Sequence, residues 1–303
     1  MSDEFKPDPA SIGGVAKPPL AFLPTPVSVF QTRARRFAFL AETSELAPYL
    51  VLLAGLTRLQ ARLVATLPAP APLSAGQLGR AAAAAMPPID RASLVTDPDL
   101  AAALDAVLDG AAELEMPAVA RQALAAVVQA NADQRHWLLA NVLADEIPAE
   151  ATAEHLFAAL AVQVHLARLA ASLEVATLAP VGIGVCPACG GRPVSSSVMG
   201  LQGIENVRYA TCAGCATQWN EVRIRCLGCG TTKGLGYRSV GTDEATVKAE
   251  TCSGCQRWFK IFYQVKNASL EPVADDVGSL GLDLLMQDTP YRRAGFNPLL
   301  VGY

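Results

Sequence analysis

All eight cysteines of this 303-residue chain lie between positions 186 and 255, as four C-x-x-C pairs: Cys186/Cys189, Cys212/Cys215, Cys226/Cys229 and Cys252/Cys255. A shift of 40 residues lays the first two pairs on the last two. The same shift carries Gly190 onto Gly230, Val207 onto Val247 and Trp219 onto Phe259. It also carries Thr211-Cys212-Ala213-Gly214-Cys215 onto Thr251-Cys252-Ser253-Gly254-Cys255. The segment is an internal duplication, and the simplest pairing is one four-cysteine site per repeat.

Two residues between cysteines let one tight turn aim both sulfurs at a single ion. Gly190, Gly214, Gly230 and Gly254 stand where such a turn needs positive φ or a close amide. Two facing turns make a closed tetrahedral sulfur site, suited to zinc or a single iron. Val207–Ala210 and Trp219–Ile224, with 248–250 and 258–263 in the second repeat, read as strands around the turns. Disulfides would need an oxidising compartment, and a thioredoxin-type dithiol would be a single C-x-x-C beside a βαβ pattern. Metal is the expectation at Cys186, Cys189, Cys212, Cys215, Cys226, Cys229, Cys252 and Cys255. The ions would replace a core that a 40-residue unit is too small to build, whether or not they also do redox work.

Net charge is −4 with a pI near 5.5, which argues against a general nucleic-acid binder. Residues 186–266 carry ten Lys/Arg and five Asp/Glu, a formal +5. Two tetrathiolate sites holding divalent ions contribute −2 each, so the loaded region is near +1. No apolar stretch is long enough to span a membrane. Arg35-Arg36 before apolar residues imitates a twin-arginine export signal, but Glu42 and Glu45 interrupt it, and the pair reads as the basic start of an ordinary helix. Cysteine usage and the absence of a signal point to a reducing, cytoplasmic location.

Ahead of the repeats, residues 1–26 are polar, then proline-rich, and read as a disordered or extended arm. Residues 27–180 read as an all-α domain of about six helices. Leu52, Leu56, Leu59 and Leu63 mark one buried face. Asp97-Pro98 signals a helix start and Gly110 its stop; Pro117 opens the next helix, and Thr152 starts the last. His136, His155 and His165 form no H-E-x-x-H pattern and read as surface or packing residues. Gly182-Ile183-Gly184 with Pro180 reads as a joint. The modules are then 181–225 and 226–266, and 267–303 is a helical tail packing back. There Asp275-Asp276 favour a helix dipole and Asn297-Pro298-Leu299-Leu300 form an apolar hook. The fold class is α+β. No Ser–His–Asp order, P-loop or dinucleotide fingerprint is present, so no enzymatic activity is expected.

Further residues carry a family likeness. Cys186-Pro187-Ala188-Cys189-Gly190-Gly191-Arg192-Pro193-Val194 resembles the first knuckle of the formate dehydrogenase accessory proteins, the FdhE family. So do Arg208-Tyr209 before Cys212, Trp219 after Cys215, and Val222-Arg223 before Cys226. Lys248-Ala249-Glu250, Lys260-Ile261, Ala274-Asp275-Asp276 and Asn297-Pro298 continue the match, and Pro48-Tyr49-Leu50 fits more loosely.

The resemblance implies tandem rubredoxin-like modules behind a helical domain, with the eight cysteines as ligands to iron, one per site and two per chain. Zinc is the alternative metal. It implies a cytoplasmic protein, not an enzyme, needed to obtain active respiratory formate dehydrogenase. The implied partner is that enzyme's catalytic subunit before twin-arginine export, with no nucleic acid and no membrane insertion. A double-rubredoxin electron carrier and a zinc-ribbon nucleic-acid binder are the rival readings.

Overall fold

The computed structural model describes residues 17–201, 204–242 and 244–301. Most of the expected N-terminal arm, residues 1–16, lies outside the described residues. The described part of that arm is extended and contributes β1 (Ala21–Phe22).

Seven α-helices follow: α1 (Pro26–Ala41), α2 (Ala47–Thr66), α3 (Ala75–Ala83), α4 (Pro98–Ala112), α5 (Ala118–Gln129), α6 (Ala132–Leu143) and α7 (Thr152–Ala171). The Asp97 side chain accepts from the amides of Asp99 and Leu100 and so starts α4. Asn131 and Gln134 close a reciprocal capping box on α6. Leu52, Leu56, Leu59 and Leu63 of α2 are buried as the stripe requires. α7 is apolar nearly all round and lies at the centre, packed by α2, α4, α5 and α6. α3 buries no residue, so it has no apolar stripe to announce it, and the sequence pattern missed it. Gly110 does not end its helix, which runs on to Ala112. A Cβ there would stand 2.4 Å from Leu59 Cδ1, so this glycine lets α4 approach α2.

The duplicated region builds two antiparallel meanders. The first is β2 (Pro193–Leu201), β3 (Ile204–Cys212) and β4 (Gln218–Glu221). The second is β5 (Leu235–Arg238), β6 (Val247–Cys252) and β7 (Arg257–Tyr263). The strand expected over 219–224 ends at Glu221, where the chain turns toward Cys226 and Arg225 folds back onto the Glu221 carboxylate at 2.9 Å. The two meanders share one sheet in the order β1-β4-β3-β2-β7-β6-β5. β2 pairs β7 in parallel, with Ser196, Ser197 and Val198 opposite Ile261, Phe262 and Tyr263. The buried Arg208 guanidinium of β3 also reaches Glu250 of β6 at 2.8 Å.

The tail forms α8 (Pro272–Gly278), α9 (Leu280–Gln287) and β8 (Arg292–Arg293), which pairs β7. Asp275 stands in the first turn of α8 as expected and accepts from Glu271 N at 2.6 Å, but both aspartates are buried and pair with cations as well. Asp275 binds Arg36 of α1 at 2.7 Å, and Glu271 binds the buried Arg33 at 3.1 Å. Arg35-Arg36 therefore sits in mid-helix rather than at a helix start, since α1 begins at Pro26, and Arg36 latches the tail. Asp276 is fully buried beside Lys260 and Arg293, with Asn297 Nδ2 donating to it at 2.8 Å. Asp283 also pairs with both cations. Burial opposes the charge of Asp276, but Arg293 and Lys260 overcome it and hold its carboxyl below the usual range. Leu299 and Leu300 are buried, as the apolar hook requires. Among the described residues no helix is long and apolar enough to cross a membrane.

Replacing Asp276 by Asn leaves Lys260 and Arg293 short of a buried counter-charge, a change that typically costs about 3–5 kcal/mol. A depressed folded-state pKa gives stability above the unfolded value that is lost as pH falls through the folded one. Urea unfolding of Asp276→Asn should therefore show a large loss at neutral pH that narrows against the unaltered chain in acid. An equal loss at both pH values would contradict this account.

Candidate metal centres

The structure gathers the eight cysteines into two clusters, Cys186/Cys189/Cys212/Cys215 and Cys226/Cys229/Cys252/Cys255. Within each, the four sulfurs lie within 4.8 Å of one another. Each cluster lies at the end of its meander, one pair in the turn before the first strand and the other in the turn between the second and third. Backbone bonds close the turns. Cys186 N donates to Gly191 O and Gly190 N to Cys186 O; in the second module Cys226 N donates to Thr231 O and Gly230 N to Cys226 O.

Gly190 and Gly230 adopt φ of 74° and 78°, the left-handed conformation these turns need. At Gly214 and Gly254 the expected positive φ is absent, although the amide of Gly254 does donate to the Cys252 sulfur. In those turns positive φ falls on Ala216 and Gln256, the residues after Cys215 and Cys255, at 60° and 54°. The left-handed position follows the second cysteine in all four turns, so glycine before that cysteine is not needed for φ; at Gly214 it leaves room for Leu166, whose Cδ1 would stand 3.0 Å from a Cβ there.

Cross-turn sulfurs stand 3.6 Å apart for Cys186–Cys215 and 3.5 Å for Cys189–Cys212. The equivalent pairs Cys226–Cys255 and Cys229–Cys252 are 3.7 and 3.8 Å apart. Four thiolates each about 2.3 Å from a tetrahedral ion would be about 3.8 Å apart, so the donor sets fit a zinc or iron ion. When bound, such an ion supplies charge that stabilises four thiolates and a cross-link between turns. Amides already point at sulfur: Cys215 N lies 3.5 Å from Cys212 Sγ and Gly228 N lies 3.3 Å from Cys226 Sγ. Without an ion, burial pushes the Cys186 thiol well up and the Cys226 thiol up to about 12. Hydrogen bonds from the other thiols, Cys186 first, hold Cys212 well below its ordinary value.

The helical domain reaches the first cluster through residues that no sequence pattern flagged. Arg91 forms a two-pronged pair with Asp145, at 2.6 and 2.9 Å, and Asp145 in turn accepts from Arg192 N at 2.8 Å. Burial opposes the Arg91 charge, but Asp145 and the nearby Cys189 and Cys212 raise its pKa. Gly191 makes this approach possible, because a Cβ there would stand 2.3 Å from Arg91 Nη1 and 3.3 Å from Cys212 Sγ. Gln163 of α7 donates to Ala213 O, and Ile89 N donates to Ala188 O.

The histidines lie elsewhere, and among the described residues none joins a cluster. His136 is exposed. His155 is buried against Trp137, with Nδ1 2.6 Å from Ala151 O. His165 is buried, 3.9 Å from Asp97.

Three sequence profiles of the FdhE family match: the N-terminal one over residues 18–182, the central domain over 185–223 and the C-terminal domain over 224–300. An FdhE homolog of Rhizobium meliloti (strain 1021) is 54% identical over 300 residues, covering 98% of either chain. The FdhE protein of Escherichia coli K12 is 32% identical over 288 residues, 93% of this chain and 91% of that one. The crystal structure of the FdhE protein from Pseudomonas aeruginosa superposes with a TM-score of 0.84 at 32% identity, over 93% of this chain and 99% of that one.

Thiols raised by burial must lose protons to bind an ion, so loading consumes thiol and releases acid. Adding zinc to the metal-free chain at neutral pH should acidify a weakly buffered solution. Lowering the pH of the loaded chain from roughly 8 to roughly 5 should strip the metal as protons compete for the sulfurs. Metal content that stays constant across this range would contradict thiolate ligation.

Proposed function

The chain belongs to the FdhE family, and on that basis we propose that it is a maturation factor holding the catalytic subunit of a respiratory formate dehydrogenase in the cytoplasm before export. The observation that carries this reading is the pairing of two tetrathiol clusters with a large helical domain of the family's fold. In this reading the eight cysteines bind two ions, iron by the family's likeness. The ions stiffen the modules, and the sulfur environment is suited to one-electron chemistry as well.

The partner surface in this proposal is on the helical side. An apolar cavity of about 460 Å³ opens between α2, α5, α7 and the C-terminal hook, lined by Tyr49, Leu52, Val119, Leu156, Leu280 and Leu299. Val119 in its lining is 69% exposed, so an apolar group stands in water uncovered by the described residues. A double-rubredoxin electron carrier has less support, because the helical domain covers one of the two clusters and exceeds what a carrier requires. The net charge of −4 disfavours a nucleic-acid ribbon.

Two measurements test the proposal. Protein purified without oxygen should carry two irons, with thiolate-to-iron bands that bleach on reduction. Two zincs and a featureless spectrum would reject a redox role for the ions. Separately, the tagged, metal-loaded chain should capture the formate dehydrogenase catalytic subunit. Val119→Glu should weaken capture by about tenfold or more while leaving thermal unfolding unchanged, because the site is exposed and near a helix start. Failure to capture the subunit with all cysteines metal-loaded would reject the partner assignment.

A further inference from the structure

The duplication gives two clusters of one design in two environments. In the first, all four cysteines are buried, Cys189 to 2% exposure, and so are Ala188, Ala213 and Gly214 in the turns. At the positions 40 residues later, Gly228 is half-buried, Ser253 and Gly254 are exposed, Cys255 is half-buried and Cys229 is exposed. The difference lies in what covers the turns. In the first module, Cβ atoms added at Gly190, Gly191 and Gly214 would meet Pro87, Arg91 and Leu166, all from the helical domain. In the second, the contacts at Gly228 and Gly254 come from Arg257, Phe259, Thr231 and the cysteine sulfurs, all within the module. Gly230 meets only Ile183 of the joint, itself 43% exposed.

We propose that the two clusters divide the work: the first holds its ion inertly as the anchor between helical domain and sheet, and the second is an exchange site that passes a soft metal ion to and from an incoming thiolate through Cys229. This rests on the reading that both clusters bind metal. The step is a ligand exchange with no change of oxidation state. The metal–sulfur bond to Cys229 would break as a bond to an acceptor thiol's sulfur forms, the acceptor's proton going to the freed Cys229 sulfur, and the same exchange at Cys226, Cys252 and Cys255 would complete the transfer. Cys189, the equivalent of Cys229, is buried to 2% exposure, with Pro87 against Gly190, Arg91 against Gly191 and Ile89 N bonded to Ala188 O, so it does not meet an acceptor in this way. The exposed Arg257 lies beside the second cluster, its Cδ 3.3 Å from the Gly228 Cβ position, and its charge favours an anionic thiolate over a neutral ligand. Exposure together with thiolate character is what makes a cysteine reactive.

The test uses the unaltered full-length chain loaded with two zincs. Reduced glutathione is added with a chromophoric zinc chelator, and samples are pulsed with N-ethylmaleimide and mapped by mass spectrometry. The expected result is two-phase zinc release, with one ion leaving at least about tenfold faster than the other. Cys226, Cys229, Cys252 and Cys255 should be alkylated in the fast phase, and the first four cysteines only on unfolding. Single-phase release, or labelling of the first cluster first, overturns the division of labour while leaving metal binding intact. A chain that cannot be loaded beyond one zinc overturns the metal-binding reading itself, and the proposal with it. Arg91→Ala supplies a second arm: uncovering the first cluster should speed the slow phase and leave the fast one unchanged. A slow phase that does not move would show that the helical cover is not what protects it.

Discussion

The parallel pairing of β2 with β7 is the contact on which the rest depends. A three-stranded meander of about 40 residues buries too little to stand alone and exposes a row of unpaired amides on each edge. Joining the first strand of one repeat to the last strand of the other makes a single sheet and removes two of the four edges. A third is covered when the N-terminal arm adds the two-residue β1 to β4, so that the ends of the sheet among the described residues are the short β1 and β5, each paired on one side alone. With β2 in the middle of the sheet, the side chains of Ser195, Ser196 and Ser197 are buried on both faces. Arg208 spends its three nitrogens on Ser196, Arg225 O and Glu250, tying together two modules that share no covalent cross-link.

The tail closes the assembly by charge as much as by apolar contact. Lys260 on β7 and Arg293 on β8 face Asp276 and Asp283, while Arg33 and Arg36 of α1 take Glu271 and Asp275. One short helix, α8, is thereby held to the first helix of the chain on one side and to the sheet on the other. Buried pairs of this kind add little net stability over apolar packing, but an unmatched partner is costly, so they fix one arrangement. The helical domain reaches the first cluster by similar means. Arg91 is pinned by Asp145, and Asp145 by Arg192 N, before the guanidinium comes near sulfur.

Sequence alone determined the two cysteine clusters, because C-x-x-C spacing is a local property and the 40-residue shift states which pairs belong together. It determined the helical domain through Leu52, Leu56, Leu59 and Leu63, and the start of α4 through Asp97 and Pro98, since caps and stripes are also local. Tertiary structure decided the rest. The order of strands in the sheet, the burial of Asp275 and Asp276, and the link from Arg91 to the first cluster join residues tens to hundreds of positions apart, and no periodicity records such contacts. The sequence repeats the two cysteine clusters almost identically; it is the placement of the helical domain on one of them that makes one cluster closed and the other open.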